Sequence, residues 1–123
     1  MGLVEWQNWE NTLDSYFNGD FILSINQIAD DVRRYRTVDE ITKYLSNKAN
    51  LDPNRYAFLA SSVLMLCEEL SISTPEWARK NLWLKDPFFP CDIESIRIYL
   101  VAESPIHFRK NNIFVSSDIF KRV

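Results

Sequence analysis

The side chains best suited to acid–base chemistry lie near the C-terminus, where Glu103, His107 and Arg109 are close in sequence. Histidine is the side chain that most readily exchanges a proton near neutral pH, and a carboxylate four positions away could orient it. Pro105 interrupts a simple helical pairing of Glu103 with His107. We therefore predict a structural hydrogen-bonding role for His107. A small-ligand or enzymatic pocket, in which these three side chains converge near Trp83, is kept as an alternative.

Signatures of a catalytic nucleophile, a phosphate-binding loop or a metal centre are missing from the sequence. It contains no Gly-rich phosphate loop, no G-x-S-x-G and no H-E-x-x-H. One histidine and two cysteines, Cys67 and Cys91, which form no CxxC, do not supply a structural zinc site. We predict no catalytic residue, no metal and no cofactor, and the absence of these motifs argues against an enzyme.

Four arginines are the candidates for contact with nucleic acid. Arg33, Arg34 and Arg36 end a predicted helix, where cations also stabilise the helix dipole. Arg55 lies early in a later helix, and the preceding T-x-x-E capping box at Thr37 completes the outline of a degenerate helix-turn-helix. A DNA-binding regulator is therefore an alternative function. The net charge of −3 disfavours it, because attraction to phosphate dominates DNA affinity.

The N-terminal segment combines acidic residues with an aromatic stripe. The first 31 residues hold six acidic residues and no Lys or Arg, so this segment carries a charge of −6. A predicted helix from Leu3 to Asn18 places its aromatic residues along one side at helical spacing. We expect most of this stripe to enter the core. A terminal helix with two tryptophans on one side also fits an interface, so the predicted partner-binding residues are Trp6, Trp9 and Glu10.

The stretch from Asp52 to Leu70 predicts a buried central helix. Asp52 is a favourable N-cap, and Pro53 stands at the first helical position, where a missing N–H is harmless. The following residues are apolar on nearly every side, and such a helix must be surrounded by other elements. We predict a mainly α protein, a compact single-domain bundle of five or six helices over residues 1–123 around this central helix.

Two C-terminal segments complete the predicted architecture. A loop from Leu82 to Pro90 is interrupted by prolines, and we expect its aromatic residues, Trp83, Phe88 and Phe89, to be buried beneath it. Asp92 is expected to cap a second mostly buried helix that runs from Ile93 to about Glu103. A short extended segment around 113–115 follows.

Composition favours a soluble cytoplasmic protein. The 123 residues are 46% hydrophobic and 25% charged, as in ordinary globular proteins. The N-terminus carries acids and no basic residue, unlike a secretory signal. The longest apolar run, from Ala57 to Cys67, is shorter than the ~18 residues expected of a membrane span. Unpaired cysteines are compatible with a reducing compartment.

Four C-terminal segments stand out as a pattern: Pro75-Glu76-Trp77, Glu103-Ser104-Pro105, Phe108-Arg109 and Ile113-Phe114-Val115. With these segments, the C-terminal part of the chain resembles a family of small uncharacterised bacterial proteins with the signature P-x-W … E-S-P-x-x-F-R … I-F-V. Some of these are similar to the antitoxin-side partners of toxin–antitoxin gene pairs. The resemblance covers about 50 residues, from Leu70 to Val123, and departs from the family pattern at Phe88-Phe89, where Pro-Trp-Phe is expected. It carries over no catalytic residue.

These observations favour a non-catalytic protein-binding or regulatory module. The resemblance implies an antitoxin-like role, with a protein partner or a second copy of the chain as the bound molecule. Nucleic acid is disfavoured and a membrane is not expected.

Overall fold

A computed structural model describes residues 3–91 and 96–120, and the side chains of α1 from Trp9 onward. These ranges contain seven helices and no strand, which confirms the predicted mainly α fold. The count exceeds five or six because two of the helices are single turns of four residues. The helices are α1 (Leu3–Asn18), α2 (Phe21–Tyr35), α3 (Asp39–Ser46), α4 (Pro53–Leu70), α5 (Glu76–Arg79), α6 (Arg97–Glu103) and α7 (Ile106–Arg109).

The first two helices form a tight hairpin. At its turn, the Gly19 N–H donates to the carbonyl of Ser15 at 2.8 Å and so closes the end of α1. Asp20 then caps α2, since its side chain accepts from the N–H of Leu23 at 3.1 Å. Because only a two-residue connection separates the helices, they pack antiparallel along their length.

The start of α3 differs from the predicted capping box. Val38, whose side chain cannot accept a hydrogen bond, occupies the N-cap position. The Thr37 hydroxyl instead accepts from the N–H of Asp39 at 3.2 Å, so it closes a turn ahead of the helix. The helix is held by tertiary packing, with Ile41 and Tyr44 buried.

The fourth helix is the centre of the core, as its sequence predicts. Asp52 accepts from the N–H of Arg55 at 3.0 Å and caps it, and Pro53 occupies the first turn. The helix packs against α2, α5 and α7. Phe58 is fully buried, and its ring lies within 6.5 Å of four others, measured between centroids. Those four rings are Tyr16, Phe21, Phe88 and Phe108.

Two consecutive asparagines fasten the C-terminal segment to the loop after α5. Asn111 donates to the Ser61 hydroxyl of α4 at 2.9 Å and accepts from the N–H of Leu82 at 2.8 Å. Asn112 donates to the carbonyl of Leu84 at 3.0 Å. Both asparagines are buried, so their amide groups form these hydrogen bonds within the protein in place of hydrogen bonds to water. The aromatic loop is therefore fixed to α4 through polar contacts.

The predicted extended segment is observed as a single parallel bridge between Phe88 and Ile113. The Phe114 N–H donates to the Phe88 carbonyl at 2.9 Å, and the Phe88 N–H donates to the Asn112 carbonyl at 3.0 Å. Buried Ser104 adds a contact, because its hydroxyl accepts from the N–H of Val115 at 3.1 Å.

Two predictions about burial were wrong. Trp83 is 64% exposed, whereas Phe88 and Phe89 are half-buried as the loop's anchors. The helix expected to start after Asp92 is described only from Arg97, since residues 92–95 lie outside the described ranges. In its described part it is not mostly buried. Leu100 is the one buried residue of α6, and the apolar side chains on the outer side of the helix are exposed.

Candidate functional site

The outer side of α6 is apolar and open to solvent. Ile98 is 75% exposed, Tyr99 67% and Val101 46%, and Ala102 is exposed as well. At 100° per residue, Ile98 and Ala102 lie along the midline opposite Leu100, and the other two side chains flank them. The helix therefore presents four neighbouring apolar side chains to water. We call these four residues the α6 face.

The helix is held to the rest of the protein at its ends. Arg97 places its guanidinium carbon 4.7 Å from the centre of the Phe89 ring. At the other end, the Arg109 side chain donates to the carbonyls of Ala102 at 3.1 Å and Ser104 at 2.8 Å. These carbonyls belong to the last turn of α6, where backbone acceptors lack helical partners. Attachment through the ends leaves the α6 face free to meet another molecule.

The three side chains considered for acid–base chemistry are not brought together. His107 pairs through Nε2 with a carboxylate oxygen of Glu68 on α4, while its Nδ1 is buried without a partner. Arg109 binds the backbone carbonyls of α6, and Glu103 is exposed. None of the clefts found among the described residues is lined by any two of the three. His107 thus joins α7 to α4, in line with a structural role.

Two of the four candidate arginines, Arg33 and Arg36, form contacts at the end of α2. Arg33 binds both carboxylate oxygens of Glu69 at 2.8 Å and donates to the carbonyl of Phe120. Arg36 donates to the carbonyl of Leu70 at 2.7 Å. These contacts join the end of α2 to the end of α4 and to the C-terminal segment.

The remaining two arginines lie apart from that junction. Arg55 donates to the carbonyls of Tyr16 at 2.9 Å and Gly19 at 3.2 Å, and it stacks over the Phe21 ring. Arg34 is exposed, and its guanidinium lies 5.3 Å from the centre of the adjacent Tyr35 ring. The four guanidinium groups therefore do not form one basic surface of the kind that binds a phosphate backbone.

Two of the residues predicted to form the N-terminal interface, Trp9 and Glu10, are buried or half-buried. Trp9 is a core residue, 2% exposed, so its ring does not reach the surface. Glu10 is half-buried beside it. The side chain of Trp6 lies outside the described residues. At the surface, the described part of α1 forms a polar wall of a cleft.

That cleft runs between α1 and α2 and has a volume of about 470 Å³. Its wall includes Gln27 and Asp31, whose side chains hydrogen-bond at 3.0 Å. Burial raises the pKa of Asp31 above its ordinary value. Trp9 also lines the cleft, and its indole N–H is buried without a partner. The cleft is polar and shallow, and no cluster of charged groups converges in it.

A smaller cleft of about 290 Å³ lies beside the exposed Trp83. Pro53, Tyr56, Leu82 and Leu84 form most of its wall, so it is largely apolar. It lies near Trp83, where the alternative pocket was predicted, but its lining does not include His107. One exposed tryptophan over a small groove offers less apolar surface than the α6 face.

Sequence reasoning missed the α6 face because it read apolar residues as core. The segment from Ile96 to Ala102 contains one charged residue, Arg97, and is otherwise apolar, the same pattern that correctly predicted α4. The sequence predicted a helix from Ile93 to about Glu103, whereas the helix described in the structure has seven residues. So short a helix cannot bury four sides within a small domain.

The described residues contain no group of three or more His, Cys, Asp or Glu side chains placed to hold a metal ion. In the same ranges, no helix combines the length and apolar character needed to cross a bilayer. Comparison with known proteins gives no further assignment: no protein-family model, curated protein or solved structure matches this chain.

Proposed function

We propose that this protein is a non-catalytic protein-binding module and that the α6 face is its principal contact surface. The observation that carries the proposal is the outward direction of Ile98, Tyr99 and Val101 on a helix whose composition is that of a buried element. The largest contiguous apolar patch on a soluble protein is often a site of interaction.

The size of the α6 face supports a specific contact. With their observed exposures, its four side chains present roughly 400 Å² of accessible surface, within the range of the largest apolar patch on a monomer. At about 25 cal/mol per Å², burying that area supplies on the order of 10 kcal/mol before the costs of association are subtracted.

The proposed contact surface lies on α6, whereas the sequence predicted it at the tryptophans of α1. The reason for the difference is that Trp9 is buried in the core. The α6 helix lies inside the segment that resembles the bacterial family, so an antitoxin-like role, in which this surface binds a partner protein, is the specific form of the proposal. It rests on that resemblance and on the exposure of α6.

The test is affinity capture from the native host with three baits: the natural protein, Ile98→Glu and a control variant. A partner that binds α6 is retained in stoichiometric amount by the first bait and lost from the second, because a carboxylate on the midline is desolvated in the complex. Ser73→Glu, on an exposed loop, is the control and retains the partner. A stoichiometric partner held equally by all three baits contradicts the assignment to α6.

A further inference from the structure

The cleft between α1 and α2 continues into a second one. The two clefts, of about 470 and 480 Å³, share three of their lining residues and therefore adjoin. Each is large enough for a small ligand, since ligand pockets typically enclose about 300 to 1,000 Å³. We call the two together the hairpin groove. The shared residues are Asn11, Thr12 and Gln27, and the second cleft adds Ser15, Ser24 and Asn26 to the polar wall.

The wall of the hairpin groove consists mainly of uncharged hydrogen-bonding groups. The amide and hydroxyl side chains shared by or added to the clefts can both donate and accept. Among the lining residues, the charged side chains are one carboxylate, Asp31, and one guanidinium, Arg34, and their charges cancel. This balance favours an uncharged ligand over a phosphate or an ammonium compound.

A buried hydrogen-bond donor lies in the first cleft. Trp9 is 2% exposed and lines this cleft, and its indole N–H has no hydrogen-bond partner in the protein. A buried N–H without a partner keeps the cost of its desolvation, so an acceptor brought by a ligand is a net gain. Because the indole N–H only donates, the ligand must offer an oxygen or nitrogen that accepts.

Hydrogen-bond acceptors stand in the same cleft. Gln27 donates to one carboxylate oxygen of Asp31 at 3.0 Å, which holds the two side chains together. The second carboxylate oxygen and the carbonyl oxygen of Gln27 can then accept from a ligand. A hydroxyl group both donates and accepts, so a ligand with several hydroxyls can satisfy the indole and the carboxylate at once.

The rings of the hairpin groove offer no open face to a flat aromatic ligand. The Trp9 ring is buried, and the Arg34 guanidinium lies 5.3 Å from the centre of the Tyr35 ring. A nucleobase gains its binding energy largely by stacking on such a face. Leu23, which is 70% exposed in the second cleft, instead provides apolar surface for C–H groups. A saccharide chain combines hydroxyls with C–H surface and can extend over two adjoining clefts.

We propose that the hairpin groove binds a short, uncharged oligosaccharide, with one sugar oxygen accepting from the Trp9 indole N–H and sugar hydroxyls donating to Gln27 and Asp31. The residues that line the groove belong to α1 and α2, so this site is separate from the α6 face. The outcome of the capture experiment with Ile98→Glu therefore does not bear on it.

The experiment is a titration of the ¹⁵N-labelled full chain, followed through the indole N–H signals in NMR spectra. The probes are maltotriose, cellotriose and triacetylchitotriose, each added to about 10 mM, which exceeds a Kd of 1 mM tenfold. At least one of them is expected to move the Trp9 signal to a plateau. The Trp83 signal is the internal control and should stay in place, since this side chain is not among those that line the groove.

Two variants test the position of the site. Asn11→Ala and Gln27→Leu should each raise the Kd of the active trisaccharide about fivefold, the effect of losing one hydrogen bond. Both side chains are exposed, so the fold should be retained, and thermal unfolding of each variant checks this. Asn54→Ala, at an exposed position of α4, is the matched control and should leave the Kd unchanged.

Three results overturn the inference. A Trp9 signal that none of the three trisaccharides moves rejects the saccharide site. A signal that moves without reaching a plateau, together with that of Trp83, indicates a general solvent effect and rejects it as well. Unchanged affinity in both Asn11→Ala and Gln27→Leu rejects the hairpin groove as the place of binding.

Discussion

The helices α4 and α6 have similarly apolar sequences and opposite surroundings. In α4, nine of 18 residues are buried, and Phe58 contacts rings from four other segments. In α6, one of seven residues is buried, and the three largest of the other apolar side chains, Ile98, Tyr99 and Val101, face water. An apolar helix must be covered, but its own sequence does not say whether the cover comes from the same chain or from another molecule.

Length is the physical difference between them. Five turns give α4 room for contacts with α2, α5 and α7 at once, so its burial is cooperative with the whole core. Two turns give α6 one inward position, Leu100. Its attachment then depends on contacts at its ends, including the stacking of Arg97 on Phe89. A similar composition is therefore buried in α4 and largely exposed to solvent in α6.

The largest expected effect is the loss of the ring at the centre of α4. Phe58→Ala removes a fully buried side chain and leaves a cavity, so the free energy of unfolding should fall by about 3–5 kcal/mol. Ile98→Ala on α6 is the matched variant, and its effect should be within about 0.5 kcal/mol. Urea unfolding of the monomer at low concentration measures both. Equal losses would show that α6 is buried in the chain's own core.

A smaller effect is expected at the polar cover of α4. Asn111→Ala removes the hydrogen bonds to the Ser61 hydroxyl and to the N–H of Leu82, and it leaves the buried hydroxyl and the part-buried N–H without that partner. The expected loss of stability is about 1–3 kcal/mol, because unsatisfied buried groups keep their desolvation cost. Exposed Asn81→Ala serves as the control in the same unfolding assay. A loss below 0.5 kcal/mol, the level of a surface change, would mean that the loop is fastened by its aromatic residues alone.

Alkaline pH should weaken the contact between α1 and α4. The buried Tyr16 hydroxyl donates to the carbonyl of Arg55 at 2.6 Å, and burial raises its pKa well above the ordinary value of 10.0. A raised pKa contributes stability that is present below pH 10 and is lost as pH rises above it. Tyr16→Phe should cost about 1 kcal/mol at pH 7 and show a shallower decline above pH 10. Parallel pH profiles of the two proteins would contradict this assignment.

The smallest effect concerns the ion pair at the end of α4. Hydrogen bonding from Arg33 lowers the pKa of Glu69 below its ordinary value of 4.5. A lowered pKa contributes stability that is present above 4.5 and is lost as pH falls through the lowered value. Because both side chains are partly exposed, Glu69→Gln should cost only about 0.5 kcal/mol at pH 7.

As pH falls below 4.5, the difference in stability between the two proteins should shrink. Thermal unfolding as a function of pH measures the difference, and Glu76→Gln on α5 is an exposed control. A difference that stays constant as pH falls would assign the effect of Glu69 to packing and not to its charge.

Local signals in the sequence were sufficient to predict a structural feature where the residues that determine it are neighbours along the chain. Asp52 and Pro53 fixed the start of α4, and Gly19 followed by Asp20 separated α1 from α2. These local signals were insufficient where a side chain binds a residue far away in the sequence. Arg33, predicted as a nucleic-acid contact, reaches Glu69, 36 residues away, and His107 reaches Glu68, 39 residues away. No periodicity encodes such a pairing.

The amino-acid sequence by itself determined that the chain is helical, where most of its helices begin and end, and that α4 is enclosed. Those properties follow from capping, spacing and hydrophobicity, which act between neighbours along the chain. Only the tertiary structure decided that Trp9 enters the core, that Trp83 does not, and that α6 turns its apolar side outward. The burial of each of these side chains depends on whether other parts of the molecule pack against it. That is settled only when the helices pack together.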